Sequence, residues 1–128
     1  LLSVPGQSAY NAAKFAVRGF TESLRQEMLL AGHAVRVTCV HPGGIKTNIA
    51  RNATRSAAYA DGKALERFER VALRMAPADA ARVILTGVSR NRARVLVGAD
   101  AKALDLLVRL TGSGYQQVRA RRAQGTFS

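Results

Sequence analysis

Length, composition and charge limit what this chain can be. Its 128 residues are 48% hydrophobic, which is enough for the core of one domain. The net charge of +12 comes from 16 Arg and four Lys scattered along the chain, and few aromatic side chains are present to stack on bases. A solvated basic surface is therefore favoured, and nucleic acid is not an expected partner.

The sequence also carries predictions about compartment and metals. No apolar run is long enough to span a membrane, so no membrane partner is expected. The single cysteine, Cys39, cannot form an internal disulfide, which favours a cytoplasmic protein. No His, Cys, Asp and Glu residues are clustered at metal-ligand spacing, and no metal site is predicted.

The first predicted element is a long amphipathic helix that continues to about Ala31. Its apolar residues recur three or four positions apart, which is typical of a helix with one buried face. These residues are Phe15, Val17, Phe20, Leu24 and Met28. Gly32 predicts the end of the helix.

A short strand is predicted at 35–40, where β-branched residues dominate. Its composition favours a central position in a parallel sheet. The Pro-Gly-Gly run at 42–44 ends the strand at once. Cys39 lies within the strand, so a buried small side chain is favoured over a nucleophile. His41 lies at the strand end where α/β proteins bind ligands, and we expect it to line a cofactor pocket.

The remaining predicted elements follow in the order helix, helix, strand, helix. They are an amphipathic helix from Asp61 to Met75, a helix from Pro77 to about Arg90, a strand at 94–97 and a helix capped by Asp100 that continues to about Leu110. Helices alternating with strands predict an α/β sheet layered by helices. We expect residues 1–112 to form this unit and residues 113–128 to form a basic, disordered tail.

The helix predicted at 61–75 carries a basic stripe with two interpretations. The stripe consists of Lys63, Arg67, Arg70 and Arg74. It could steer an anionic substrate or a phosphate-bearing carrier. An exposed helix face is favoured, because Glu66 and Arg70 have the spacing of a modest helix ion pair.

Tyr10 and Lys14 are the strongest chemical signal in the chain. Residues four apart lie on one face of a helix, so the phenol and the ammonium share the same space. An ammonium about 4 Å from a phenol favours the phenolate by on the order of 4 kcal/mol at an effective dielectric constant near ~20. Roughly the same free energy is needed to ionise a phenol at neutral pH. The pair is therefore a candidate for proton transfer.

The surrounding residues give this pair a family context. Tyr10-x-x-x-Lys14 opens a long helix, a strand follows, and the run Pro42-Gly-Gly-Ile45-Lys-Thr47 comes next. This order over some forty residues resembles the second half of a short-chain dehydrogenase/reductase, whose pattern is Tyr-x-x-x-Lys, a buried strand and Pro-Gly-x-Val/Ile-x-Thr.

The resemblance implies a catalytic role for Tyr10 and Lys14. Tyr10 would accept the hydroxyl proton of an alcohol while hydride passes to the nicotinamide of NAD or NADP, and would return a proton in the reverse direction. Lys14 would assist Tyr10 and bind the nicotinamide ribose.

The resemblance also implies cofactor contacts after the strand. The implied contact residues are Tyr10, Lys14, Pro42, Gly43, Gly44, Ile45 and Thr47. Ile45 would meet the carboxamide through its backbone, and Thr47 would bond the carboxamide or the pyrophosphate. Residues 48–59 would form the substrate loop.

Parts of the family pattern are missing from these residues. No Gly-rich strand-to-helix turn for a dinucleotide pyrophosphate occurs. The family's catalytic Ser, about a dozen residues before the Tyr, would lie upstream of Leu1, which excludes Ser3 and Ser8. We therefore expect the C-terminal half of a Rossmann-like, doubly wound parallel sheet without its N-terminal dinucleotide-binding half, or a gene remnant. Such a fragment is expected to be inactive and poorly soluble alone.

The favoured function is that of an NAD(P)-dependent oxidoreductase acting on a small-molecule alcohol or carbonyl. The resemblance implies a homodimer or homotetramer for the full-length protein. A non-catalytic binding protein of the same fold is an alternative, although the intact Tyr10 and Lys14 pair argues against it. A basic nucleic-acid-binding protein is a further alternative, and steep salt dependence of duplex binding would support it.

Overall fold

The computed structural model describes residues 2–5, 7–47 and 75–124. In chain order, the described elements are α1 (Ser8–Leu30), β1 (Cys39–Pro42), α2 (Pro77–Ser89), β2 (Arg94–Val97), α3 (Ala99–Thr111), a 3-10 turn (Gly112–Gly114) and α4 (Tyr115–Gln124). The chain is α/β, as the sequence predicts. The predicted bounds of α1, α2, β2 and α3 are confirmed to within one or two residues.

Helices α1 and α2 are each followed by a residue with a positive φ. After α1, Gly32 has a φ of 66°, and the His33 N–H donates to the Met28 carbonyl oxygen at 3.0 Å. After α2, Asn91 takes the equivalent position with a φ of 51°. Both ends are Schellman motifs, in which a residue in the left-handed region turns the chain out of the helix. The predicted stop at Gly32 is confirmed.

Arg25 connects α1 to the sheet layer. Its guanidinium donates to the Val37 carbonyl oxygen at 2.6 Å and to the Asn91 carbonyl oxygen at 3.1 Å. It also donates to Asn91 Oδ1 at 3.2 Å. One side chain thus holds α1 against both the segment before β1 and the turn before β2.

β1 and β2 form a parallel pair. The paired residues are Cys39 with Arg94, Val40 with Val95, His41 with Leu96 and Pro42 with Val97. The prediction of a strand at 35–40 was wrong in its start, because the strand begins four residues later at Cys39. A strand requires a partner backbone in register, and β2 supplies one only opposite Cys39–Pro42. Val35 is 58% exposed instead.

One face of the sheet packs on α2. Val95 and Val97 form a buried core with Ala80, and Val40 and Ile84 pack at its edge. Adjacent residues of a strand point to opposite faces, so Cys39 and His41 lie on the other face. This hydrophobic cluster therefore lies on one side of the described sheet.

The close approach of α2 to β2 depends on a glycine. Gly87 is buried in the helix interior, and a Cβ at this position would clash with a methyl group of Val95. Glycine costs helix stability, but it removes the side chain that would push the strand away.

On the opposite face, Cys39 and His41 are buried between β1 and α1. The prediction that Cys39 is a buried residue of the strand is confirmed, since its side chain is 7% exposed. The same face carries Arg94, whose guanidinium pairs with Asp105 of α3 at 2.6 Å. Arg109 approaches the other carboxylate oxygen of Asp105 at 2.9 Å.

The environment of Asp105 favours its charged form. Burial raises the pKa of the carboxyl, but hydrogen bonds from Arg94 and Arg109 outweigh burial, so the pKa is lowered from its ordinary value. The carboxylate therefore links β2 to α3 through two guanidinium groups.

The C-terminal segment differs from the sequence prediction. Helix α4 occupies Tyr115–Gln124, where a disordered tail is expected. Tyr115 is buried, and its hydroxyl oxygen accepts a hydrogen bond from the Ser3 N–H at 3.3 Å. This contact joins α4 to the segment before α1. The division into a domain and a tail remains a prediction.

Several helices expose large apolar side chains. In α1, Phe20 is 69% exposed and Leu30 is 88% exposed, and no residue of this helix is buried. In α3, Leu110 is 77% exposed. The amphipathic pattern of α1 therefore has no matching buried face within the described residues. Within the same residues, no helix has the length and apolarity needed to cross a bilayer.

Candidate active site

The candidate site lies where the first turns of α1 meet the carboxyl end of β1. A cleft of about 330 Å³ opens between them. Its lining includes Tyr10, Asn11, Lys14, Phe15, Arg18, Cys39, His41, Pro42 and Leu104. The carboxyl ends of parallel strands are the usual ligand-binding edge of α/β sheets. The structure thus brings Pro42 together with Tyr10 and Lys14, which lie far before it in the sequence.

Tyr10 and Lys14 lie on one face of α1, as their spacing predicts. The Lys14 Nζ atom lies over the Tyr10 ring, 5.4 Å from its centroid. This is the geometry of a cation–π contact. Tyr10 is 59% exposed, so its hydroxyl is accessible to a molecule that enters the cleft.

His41 is the buried polar residue of the cleft. It is 9% exposed, and no hydrogen-bond partner of its Nε2 atom lies within the described part of the chain. Burial lowers the pKa of His41 to about 4, and the positive charges of Arg94 and Arg18 act in the same direction. The imidazole is therefore neutral at physiological pH and supplies one hydrogen-bond donor and one acceptor. The expectation that His41 lines the pocket is consistent with this position.

The turn after β1 is held by backbone hydrogen bonds on two sides. The Gly43 N–H donates to the Val97 carbonyl oxygen at 2.8 Å, which continues the pairing of β1 with β2. The Gly44 carbonyl oxygen accepts from the Met75 N–H at 3.1 Å, and the Lys46 N–H donates to the Met75 carbonyl oxygen at 2.9 Å. Ile45 is therefore fixed between two peptide groups that are both bonded to Met75.

This bonding directs the backbone N–H and C=O of Ile45 away from Met75. In a parallel bridge, the residue between the two bonded peptide groups directs its own N–H and C=O away from the partner strand. Ile45 forms such a bridge with Met75. Over residues 2–5, 7–47 and 75–124, neither backbone group of Ile45 has a hydrogen-bond partner. Thr47 is exposed two residues further on.

Asp100 is a site residue that the sequence analysis missed. The sequence predicts that Asp100 caps α3, but the N-cap residue is Gly98 and it makes no side-chain cap hydrogen bond. The Asp100 carboxylate instead accepts the Gly44 N–H at 2.6 Å. The capping prediction was wrong because the partner lies 56 residues away, which a local pattern does not reveal. The only sequence signal for the contact with Gly44 was an acidic residue two positions after Gly98.

Some predicted features lie outside the described residues. These are the substrate loop at 48–59, most of the helix predicted from Asp61 to Met75, and the basic stripe of Lys63, Arg67, Arg70 and Arg74. Within the described ranges, no group of three His, Cys, Asp or Glu side chains is arranged to hold a metal ion.

Comparison with known proteins identifies the family. The model of the family described as short chain dehydrogenase matches residues 1–58, which include α1, β1 and the turn after it. No solved structure matches the chain.

Relatives from several organisms extend this match over most of the chain. The putative oxidoreductase SadH of Mycobacterium tuberculosis is 59% identical over 125 residues, which cover 94% of this chain and 44% of that protein. A dehydrogenase/reductase SDR family protein 7-like from Drosophila melanogaster is 34% identical over 94% of this chain and 36% of its own length. The uncharacterized oxidoreductase YxnA of Bacillus subtilis is 33% identical over 79% of this chain and 27% of its own length.

The chain belongs to the short-chain dehydrogenase/reductase family, as the residue pattern predicts. It spans less than half the length of these curated relatives.

Proposed function

We propose that this chain forms the proton-transfer and nicotinamide-facing part of an NAD(P)-dependent oxidoreductase that interconverts a secondary alcohol and its carbonyl. The observation that carries the proposal is the cleft itself, in which Tyr10 and Lys14 face the start of the turn that contains Ile45. The names of the relatives, which describe oxidoreductases, support the same reaction class.

The residues of the turn fit a nicotinamide group. An amide such as the carboxamide needs both a donor and an acceptor, and Ile45 offers one of each in its N–H and C=O, which have no partner among the described residues. Glycines before Ile45 keep side chains out of the path of an approaching ligand. Ile45 is therefore proposed to bind the carboxamide through its backbone. Thr47 is proposed to add a hydroxyl contact to the carboxamide or the pyrophosphate, and Lys14 to bind the ribose.

The chain's own chemistry is proton transfer. When bound, the dinucleotide supplies the hydride acceptor or donor. Tyr10 presents an accessible phenol oxygen. As phenolate, Tyr10 accepts the hydroxyl proton of the alcohol, and as phenol it returns a proton in the reductive direction. Lys14 carries the positive charge next to the Tyr10 ring and is proposed to assist Tyr10.

The wider assignment follows from family membership. We propose that residues 1–112 complete a Rossmann-like, doubly wound sheet together with a dinucleotide-binding half of the kind found in the family. The chain alone is proposed to be inactive, since the Gly-rich turn that binds the pyrophosphate is not among its residues. A cytoplasmic location and a homodimer or homotetramer are part of the same proposal.

A chimera tests this proposal. The matching segment of the Mycobacterium tuberculosis relative is replaced by this chain, and 59% identity favours a common fold. Reduction of NAD and NADP is then followed with a panel of secondary alcohols, and the reverse reaction with the corresponding carbonyls. We expect the chimera to be active wherever the relative is active. A folded chimera that binds nucleotide but transfers no hydride under the relative's own working conditions would contradict the proposal.

Lys14→Met tests the binding part of the proposal. We expect it to weaken nucleotide affinity and to lower turnover, because one group serves both the ribose and Tyr10. Lys102→Met on α3 is the matched control, since Lys102 is an exposed lysine outside the cleft. Unchanged nucleotide affinity of the Lys14 variant in a fluorescence titration would show that Lys14 does not bind the ribose.

A further inference from the structure

Asp100 joins two segments that meet at the carboxyl edge of the sheet. Its carboxylate lies in the first turn of α3 and accepts the Gly44 N–H at 2.6 Å. The donor belongs to the turn after β1, one residue before Ile45. We propose that Asp100 is a positioning residue, whose carboxylate holds the Gly43–Gly44 turn in the conformation that presents Ile45 to the dinucleotide.

Two nearby glycines leave room for the Asp100 carboxylate. A Cβ at Gly43 would collide with the carboxylate group of Asp100, and a Cβ at Gly98 would collide with one of its oxygens. Gly98 has a φ of 102°, which glycine adopts without strain. The chain therefore leaves space for the Asp100 side chain on both of the segments that it joins.

The hydrogen bond from the Gly44 N–H to Asp100 restrains the turn in addition to its backbone hydrogen bonds. The Gly43 N–H is bonded to β2, and the Gly44 carbonyl oxygen and Lys46 N–H are bonded to Met75. The Gly44 N–H is the remaining donor on this side of the turn, and Asp100 accepts it. Without the carboxylate, the Gly43–Gly44 turn loses one of its restraints, and the direction of Ile45 is fixed less tightly.

This role rests on the proposed function, because it assigns Asp100 to the nicotinamide side of the same site. Asp100→Ala removes the acceptor, and Asp100→Asn keeps a carbonyl oxygen that can accept the same N–H. A hydrogen bond to a charged acceptor contributes enough that its loss is expected to weaken nucleotide binding on the order of tenfold. The asparagine variant should recover most of this loss.

Asp79→Ala is the matched control. Asp79 is also an acidic residue in the first turn of a helix, and it pairs only with exposed Arg82, three residues later, among its described neighbours. Both alanine variants lose one favourable interaction with a helix N-terminus. The loss at the helix N-terminus is therefore common to both variants, and only Asp100→Ala should affect the nucleotide.

The measurements use the chimera that carries the whole chain. Nucleotide affinity is measured by titration, KM and kcat by steady-state kinetics, and exchange of the Gly44 amide hydrogen by mass spectrometry of the peptide that contains it. We expect Asp100→Ala to raise Kd and KM for the dinucleotide about tenfold, to leave kcat closer to that of the parent, and to speed exchange in this peptide. Asp79→Ala should do none of these.

The outcomes separate this role from the proposed function. Normal nucleotide affinity in Asp100→Ala, or an equal loss in Asp79→Ala, would overturn the positioning role while leaving the oxidoreductase proposal intact. Unchanged exchange at Gly44 would also overturn it. A parent chimera that binds no nucleotide would overturn the proposed function and the positioning role together.

Discussion

Two polar residues of the cleft, Tyr10 and His41, differ in their exposure to solvent. Tyr10 is exposed and can reach a substrate, whereas His41 is buried in the same cleft. A neutral His41 adds polar groups to the cleft without adding charge.

The burial of His41 predicts acid sensitivity. Its pKa is lowered from 6.5 to about 4 by burial and by the charges of Arg94 and Arg18, with Glu22 acting in the opposite direction. The unfolded chain therefore takes up a proton at this position before the folded chain does. The contribution of neutral His41 to the free energy of unfolding should be largest above about pH 6.5 and should decrease as the pH approaches 4.

The measurement is the difference in melting temperature between the chimera and its His41→Gln variant as a function of pH. We expect the difference to shrink or change sign between pH 6.5 and 4, the interval set by the two pKa values. Asp105, whose pKa is lowered from its ordinary value of 3.8, contributes equally to both proteins and therefore cancels in this difference. Parallel melting curves at every pH would show that His41 is not buried as a neutral group.

At the scale of the elements, local patterns predicted the helices better than the contacts between them. Helix α1 is encoded by a regular apolar period and ended by Gly32, and both signals are local. The start of β1 and the role of Asp100 depend on β2 and on Gly44, which lie far away in sequence. Propensity at 35–37 favoured a strand, but no pairing of these residues exists in the described structure. Contacts between residues far apart in the sequence therefore determine both the start of β1 and the partner of Asp100.

Replacement by alanine should change the stability in opposite directions at two glycines that lie within helices. Gly87→Ala in α2 places a methyl group against Val95, so we expect destabilisation in spite of the better helix propensity of alanine. Gly19 lies in the exposed middle of α1, and a Cβ there meets no atom within 4 Å. Gly19→Ala should therefore stabilise the chain by up to about 1 kcal/mol.

Chemical denaturation of the two variants in the chimera checks this pair. Stabilisation by Gly87→Ala would show that α2 does not approach β2 as closely as described. Destabilisation by Gly19→Ala would show that the middle of α1 is packed against another surface in the assembled protein.

At the scale of the whole molecule, several large apolar side chains of the described residues are exposed to solvent. Phe20, Leu30 and Leu110 are each more than two-thirds exposed, at 69%, 88% and 77%. The described sheet has two strands, so the edge strands in this part of the chain lack outer partners. Unpaired edges and large apolar patches both promote association.

We therefore predict that the 128-residue chain expressed alone self-associates, whereas the chimera remains monodisperse. Sedimentation velocity over a range of concentrations distinguishes these states. Replacing Phe20 and Leu110 with Ser should reduce the association of the isolated chain. A monomeric isolated chain that unfolds cooperatively would contradict the prediction.

The central claim is that Tyr10 transfers the proton in an oxidoreductase site, and Tyr10→Phe in the chimera tests it most directly. The control is Tyr115→Phe, which removes the hydroxyl of another tyrosine outside the cleft. Steady-state turnover should fall about a hundredfold or more in the Tyr10 variant, with nucleotide affinity nearly unchanged, and should stay close to the parent value in the Tyr115 variant. Equal turnover of the parent and the Tyr10 variant would contradict the claim.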